Sequence, residues 1–154
     1  MSGWGGWLAV GAGGALGAML RLLVYRLLEQ LTPIGSRGVR LRVGPGLATL
    51  LVNLLGSFAL GLLLGASGDG AGPAALATAS VAKTVAETGV DWSHLFWLTF
   101  WTTGVCGSLT TFSTFCGEAI GLARRGEPGR LALYLAANAG LCLAALAAGM
   151  RLAS

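Results

Sequence analysis

Charged residues are scarce in this sequence of 154 residues. They make up 10% of it, against about 25% in soluble globular proteins, which is too little to cover a surface that faces water. Histidine occurs once and cysteine three times, without a CxxC spacing, so zinc sites and structural disulfides are not expected. The composition excludes a soluble enzyme, a disordered segment and a disulfide-rich secreted module. It predicts an all-α membrane protein with a single domain over residues 1–154.

Apolar residues and glycine are abundant instead. Hydrophobic residues make up 55% of the sequence and 26 residues are glycine, whereas glycine is about 7% of an average protein. No Gly-X-Y period is present, which excludes collagen. Glycine in an apolar sequence favours membrane helices that pack closely. Three Gly-x-x-x-Gly pairs are candidates for such contacts: Gly13 with Gly17, Gly61 with Gly65, and Gly117 with Gly121.

Four stretches reach the roughly 20 apolar residues that a membrane-spanning helix needs. They run over about 7–28, 45–66, 94–123 and 131–150. The N-terminus has no basic n-region and no convincing cleavage site, so the first stretch is predicted to be a span and not a signal peptide. The longest connection, 67–93, contains an alanine-rich part, 74–88, that is predicted as a short helix outside the membrane or at its surface.

The basic residues predict how these spans are oriented. Because successive spans alternate in direction, the first and third loops lie on one side of the membrane. That side carries seven basic residues, namely Arg26, Arg37, Arg40, Arg42, Arg124, Arg125 and Arg130. The other side carries two, Lys83 and Arg151. The positive-inside rule then places both termini outside the cytoplasm, and it assigns the net charge of +4 to topology and not to nucleic-acid binding.

Residues 104–115, with the sequence GVCGSLTTFSTF, form the most informative segment. Glycine and closely spaced Ser and Thr disfavour a helix interior, and the hydroxyl groups compete for backbone hydrogen bonds. A helix break here releases carbonyl oxygens, which a membrane tolerates only where protein, water or an ion satisfies them. Carbonyl oxygens suit a hard cation such as sodium. The alternative is a packing face of small residues.

Two spans carry polar side chains at four-residue spacing. The stripes are Thr49, Asn53 and Ser57 in the second span, and Tyr134, Asn138 and Cys142 in the fourth. An asparagine amide supplies two N–H donors and each hydroxyl group one, so both stripes offer donors to a small anion. Hydrogen bonds between helices account for the same pattern, and Tyr134 is also placed to anchor at the membrane interface.

Three further features allow both a functional and a structural interpretation. Phe112 and Phe115 share one helix face, where the positive ring edges meet an anion or the rings simply pack. Arg21 lies about two turns inside the first span, where a charge marks an anion path or snorkels to the interface. Glu118, near the cytoplasmic end of the third span, is expected to pair with an arginine.

Three segments together resemble the Fluc (CrcB) family of fluoride channels. The first is GGALGA, starting at Gly13 and followed by Arg21. The second is TLLVNLLGSF, residues 49–58, and the third, the most specific, is residues 104–115 with Glu118. Their order and spacing agree across all four spans, so the resemblance covers the chain apart from its second loop.

The resemblance implies a subunit of a fluoride channel that exports cytoplasmic fluoride passively through the inner membrane. It implies an antiparallel dimer of four-helix subunits, with the third helix broken at mid-membrane. At the break, the backbone carbonyls of Gly107 and Thr110 from both subunits would hold a structural sodium ion that is not transported. The other implied site residues lie along the fluoride path: Phe112, Phe115, Asn53, Thr49, Tyr134, Asn138, Arg21 and Ser113.

Several positions depart from the pattern of that family. Ser108 stands where a second glycine is usual, Asn138 where serine is usual, and Leu22 where tyrosine is common. Cys142 replaces an expected hydroxyl group, and the loop 67–93 is longer than is typical. The implied sodium and phenylalanine sites stay intact, while conduction depends on the effect of these changes.

Other functions remain as alternatives. A small multidrug exporter needs a carboxylate deep in its first span, where this sequence has Arg21. A non-conducting partner subunit of a heterodimeric channel is the second alternative. The seven-to-two charge bias favours one fixed orientation, and therefore a homologous partner of opposite orientation instead of, or besides, a second copy. The expected partners are fluoride and membrane lipid, and no enzymatic activity is expected because no nucleophile–base pair stands out.

Overall fold

The computed structural model describes residues 4–31, 45–66 and 92–153, and within these ranges the chain is helical without any strand. Helix α1 is Trp4–Leu31 and α2 is Pro45–Ala66. The third helical region consists of α3 (Trp92–Thr99), a π-helical stretch (Phe100–Cys106), the single turn α4 (Gly107–Leu109) and α5 (Phe112–Arg124). The last helix, α6, is Pro128–Ala153. The helix predicted at 74–88, and Arg37, Arg40, Arg42 and Lys83, lie outside the described residues.

Three of the four predicted spans are confirmed as helices that are long and apolar enough to cross a membrane. They are Trp4–Gln30, Gly46–Ala66 and Pro128–Ala153. The first and last extend beyond the predicted limits, because their helices continue past the apolar stretch, and the second agrees with the prediction to within one residue. Much of their apolar surface faces away from the chain, as the 77% exposure of Trp7 and the 70% exposure of Leu133 show. Such a surface requires lipid or another subunit to cover it.

Glycines set the two closest helix contacts. Helix α2 packs most extensively on α6, where a Cβ atom added to Gly149 would lie 2.8 Å from the backbone nitrogen of Leu62. Helix α1 packs on the π-helical stretch and α4, and a Cβ atom on Gly104 would lie 2.8 Å from the Cα atom of Gly13. Two of the three predicted Gly-x-x-x-Gly pairs therefore pack against neighbouring backbone. The third pair does not, since Gly117 has no neighbour within 4 Å among the described residues.

An aromatic cluster marks one end of the helices. Phe96, Trp97, Phe100 and Trp101 contact one another edge to face, with ring centroids 5.1–5.7 Å apart. Helix α1 begins with the exposed Trp4 and Trp7, and it runs parallel to the π-helical stretch because Gly13 and Gly17 meet residues of increasing number. Tryptophan gathered at the same end of two helices is typical of a membrane–water interface.

Candidate functional site

The third helical region is interrupted at Thr110 and Thr111. Both residues have extended backbone, with φ −70° and ψ 155° at Thr110 and φ −143° and ψ 110° at Thr111. Gly107, around which the break was predicted, is itself helical at φ −64° and ψ −31°, so the interruption lies three residues farther along the chain. Glycine permits a break, but the capping threonine determines where the next helix starts. The Thr111 hydroxyl accepts a hydrogen bond from the Thr114 N–H at 3.3 Å and so caps α5.

Asn53 on α2 holds the interrupted backbone. The Thr111 N–H donates to Asn53 Oδ1 at 2.8 Å, and Asn53 Nδ2 lies 3.5 Å from the Thr111 carbonyl oxygen. In an unbroken α-helix the Thr111 N–H would instead bond to the Gly107 carbonyl. The amide of Asn53 thus replaces a lost helix bond and leaves the Gly107 carbonyl to other partners, among them the Thr110 hydroxyl at 3.4 Å.

A buried threonine links four helices through their polar side chains. The Thr49 side chain is 0% exposed, and its hydroxyl lies 3.0 Å from the Tyr25 hydroxyl and donates to Glu118 Oε1 at 2.9 Å. The Tyr134 hydroxyl donates to the other oxygen of Glu118 at 2.5 Å. Among the described residues no arginine forms the expected pair with Glu118, because hydroxyl groups from α2 and α6 donate to both oxygens of the carboxylate. The hydrogen bond to Glu118 also gives the Tyr134 hydroxyl a partner inside the helix bundle.

Tyr25 is a member of this network that the sequence interpretation missed. It is a single polar aromatic residue in an apolar helix, one turn after Arg21. Its place on the same side of the helix as Arg21 was the available signal.

The two polar stripes meet in a groove of about 490 Å³ beside the interruption. Its polar lining comes from α2, α6 and the interrupted segment, namely Asn53, Ser57, Thr102, Thr110, Thr111, Asn138 and Cys142. The structure therefore places most of both stripes around one space, whereas Thr49 and Tyr134 belong to the neighbouring network around Glu118.

Phe112 and Phe115 line the same groove where α5 begins. Their ring centroids are 5.8 Å apart with 32° between the planes, and Phe115 stacks on Tyr134 at 5.4 Å. Phe112 is 77% exposed, so apart from its contact with Phe115 its ring is largely uncovered by the described residues. The two phenylalanines join the groove to the Glu118 network through the ring of Tyr134.

Asn138 is buried at the groove with only one end of its amide satisfied. It is 5% exposed, and its Nδ2 donates to the Tyr134 carbonyl at 3.0 Å. Its Oδ1 has no hydrogen-bond partner among the described residues. Of the two polar atoms of this side chain it is therefore the carbonyl oxygen, and not the amide nitrogen, that lacks a hydrogen-bond partner among the described residues.

Arg21 and Ser113 are not brought to the groove with the other predicted residues. Arg21 is half-buried on α1, and Ser113 is exposed in the first turn of α5, with its hydroxyl 3.5 Å from that of Thr111. The departure at Ser108 has a simple structural account: its hydroxyl donates to the Gly104 carbonyl at 2.8 Å. That side chain faces Gly17 of α1 and leaves the groove unobstructed.

Comparisons with known proteins agree on one family. A family model described as CrcB-like protein, Camphor Resistance (CrcB), matches residues 8–150. A protein of Deinococcus radiodurans named fluoride-specific ion channel FluC is 38% identical over 143 residues, covering 93% of this chain and 90% of its own. Proteins of the same name from Idiomarina loihiensis and a Ruegeria species are 37% and 39% identical, each covering at least 89% of both chains.

Proposed function

This chain belongs to the CrcB family, and we propose that it is a subunit of a fluoride-specific channel. In this function it is a multi-pass protein of the inner membrane, with α1, α2 and α6 as spans. It lets fluoride leave the cytoplasm passively, down its electrochemical gradient. The relatives described above are named as ion channels.

The observation that carries this proposal is the groove itself. Asn53 fixes the interrupted backbone beside a space lined by amide and hydroxyl groups and by the rings of Phe112 and Phe115. Fluoride is small and strongly hydrated, so a pore must replace the donors of its water shell. Hydroxyl groups, amide N–H groups and positive ring edges are neutral groups that do so without trapping the ion.

A single chain supplies only part of this site. Gly107, just before the interruption, is exposed, and Phe112, just after it, is 77% exposed, so both are open at the surface of the subunit. We therefore place residues 92–124 as the remaining membrane span, with the interruption at mid-membrane, and pair the subunit with an antiparallel partner that covers this face. Within a bilayer an interrupted backbone needs such cover.

The residues at the interruption fit a structural sodium ion. Because the Thr111 N–H is engaged by Asn53 at 2.8 Å, the Gly107 carbonyl lacks its helical donor, and neutral carbonyl oxygens are ligands that a hard monovalent cation accepts. The Gly107 and Thr110 carbonyls would hold the ion together with those of the partner. A bound sodium supplies fixed positive charge beside the groove, which favours anions there.

The orientation of the partner follows from the charge bias. Seven basic residues against two direct this chain to insert with both termini outside. An antiparallel dimer then needs a homologous chain of the opposite bias, unless this chain also inserts the other way. Tags on both termini that appear on both sides of the membrane would contradict the fixed orientation and restore the homodimer.

The deciding experiment is fluoride efflux from liposomes containing the purified chain, alone and together with a homologue of opposite charge bias. For a fluoride-specific channel we expect the liposomes to release fluoride and to retain chloride. Efflux only with the homologue identifies a heterodimer. If liposomes that contain the homologue release fluoride equally fast with and without this chain, this chain is a non-conducting subunit and the proposal is refuted.

A further inference from the structure

A basic turn joins α5 to α6. Arg124 and Arg125 end α5, Arg130 lies in the first turn of α6, and all three are exposed. Glu127 accepts hydrogen bonds from Arg125 Nε at 3.2 Å and from Arg130 Nη1 at 2.7 Å. Three arginines and one carboxylate leave a net charge of +2 on residues 124–130. A single carboxylate therefore holds two guanidinium groups side by side without neutralising them.

An apolar groove of about 780 Å³ opens below this turn, on the side of the chain. Arg125 and Arg130 lie in its lining, and the rest is mainly apolar: Leu47, Leu50, Leu122, Leu133 and Ala137. The glycines in its wall leave it open, since within the described part of the chain a Cβ atom on Gly117 would have no neighbour within 4 Å, and one on Gly121 would have only the Arg125 guanidinium, at 3.8 Å. The groove therefore has an elongated apolar wall with two cationic groups in its lining.

We propose that this groove binds one anionic phospholipid, with the headgroup phosphate between Arg125 and Arg130 and an acyl chain along the leucines. Each guanidinium has five N–H donors and uses one on Glu127. The remaining donors form charge-assisted bonds to a phosphate. Helix α6 begins at the same turn, and the positive end of its dipole adds to the attraction.

The one carboxylate in the groove does not oppose this placement. Glu118 also lines the groove, and its Cα atom lies about 10 Å along the helix axis from that of Arg125, which follows it by seven residues. Its two oxygens accept hydrogen bonds from Thr49 and Tyr134. The phosphate therefore meets the basic end of the groove. A turn at the end of a predicted span lies at the depth of lipid headgroups, where basic residues attract anionic lipids.

Native mass spectrometry of the purified full-length chain in mild detergent tests this site. Dioleoyl phosphatidylglycerol should bind in preference to dioleoyl phosphatidylcholine. The double variant Arg125→Gln, Arg130→Gln should bind phosphatidylglycerol about 30-fold more weakly, at roughly tenfold per 1.4 kcal/mol and about 1 kcal/mol per arginine. The double variant Arg26→Gln, Arg151→Gln removes the same charge elsewhere and should bind like the parent chain.

A second variant separates the groove from simple surface attraction. Gly117→Leu adds a side chain in the wall without changing the charge, and should weaken phosphatidylglycerol binding, while Gly140→Leu, at an open position on α6, should not. Equal weakening by both arginine pairs would show a general charge effect and overturn the site. Displacement of the lipid by inorganic phosphate at millimolar concentration would show that the groove is a site for free anions. Loss of lipid binding on dimerisation would show that a second subunit covers the groove. Either result overturns the proposal. Circular dichroism spectra of all variants check that they fold.

Discussion

Replacing Asn53 separates the two functions that the structure gives to its side chain. Its Oδ1 accepts from the Thr111 N–H at 2.8 Å, and its Nδ2 faces the Thr111 carbonyl at 3.5 Å. Asn53→Ala removes both contacts. Asn53→Asp keeps an acceptor for the shorter bond but loses the donor and adds a negative charge to the groove. The two variants should therefore fail in different ways.

The expected sizes of the two effects follow from these contacts. In Asn53→Ala the Thr111 N–H loses its acceptor, which costs about 1–3 kcal/mol and lowers the unfolding midpoint by roughly 5 °C for a chain of this size. In Asn53→Asp the new carboxylate repels a fluoride ion about 5 Å away. At an effective dielectric constant of about 20, this repulsion raises the free energy of the fluoride ion in the groove by about 3 kcal/mol. That energy slows efflux about 100-fold.

Thermal unfolding in detergent and fluoride efflux from liposomes measure the two effects on the same preparations. Asn53→Ala should lose more stability than Asn53→Asp, and both should lose efflux. Ser57→Ala, one turn away in the same groove, is the control and should keep near-parental stability. Equal destabilisation by Asp and Ala would refute the role of the Thr111 bond. Unchanged efflux in Asn53→Asp would refute the placement of the anion path.

Four further predictions test other parts of the structure. Phe112→Ile should slow efflux at least about fivefold, for the loss of an aromatic contact of about 1 kcal/mol, whereas Phe96→Ile in the distant aromatic cluster should not. Gly149→Ala should lower stability by about 1–3 kcal/mol through overpacking against Leu62, while Gly140→Ala, with open space around it, should not; thermal unfolding distinguishes them. Thr49→Val should cost about 1–3 kcal/mol because the Glu118 carboxylate loses a donor, and Thr49→Ser should restore it in the same assay. Hydrogen bonding from Arg130 lowers the pKa of Glu127, so the stability from this contact is present at neutral pH and is lost as the pH falls below about 4.3; Glu127→Gln should remove that part of the acid dependence of the unfolding midpoint.

The sequence predicted the helices better than the site. Long apolar runs and the scarcity of charge were sufficient for α1, α2 and α6, because a membrane-length apolar helix has few alternatives. The composition of residues 104–115 left an interruption and a packing face of small residues both open, and the family resemblance favoured the interruption. Its position did not follow, since besides the local cap by Thr111 it involves a bond between Thr111 and Asn53, which are 58 residues apart. No local propensity contains that contact.

The hydrogen-bond partners of Glu118 are a second feature of the site that the sequence did not predict. An acidic residue near arginines in sequence is expected to pair with one of them. In the structure the carboxylate lies between α2 and α6, where Thr49 and Tyr134 donate to its two oxygens and, among the described arginines, none forms a salt bridge with it. Arg125 and Arg130 are instead held by Glu127, which lies between them in the chain. The pairing of these arginines with Glu127 and not with Glu118 depends on how the helices pack. The order of residues along the sequence does not contain that information.

The geometry of the site itself argues for assembly. Asn53, Thr111 and Phe115 are fixed by contacts within one chain, whereas Phe112 and Gly107 are exposed at its surface. An apolar ring is costly to leave facing water, and a carbonyl released from its helix bond is costly to leave facing hydrocarbon. Their juxtaposition at one interruption means that a single contact with a second subunit satisfies both. On this proposal, the same step that completes the anion path also stabilises the broken helix, so variants that prevent dimerisation should lose efflux and stability together.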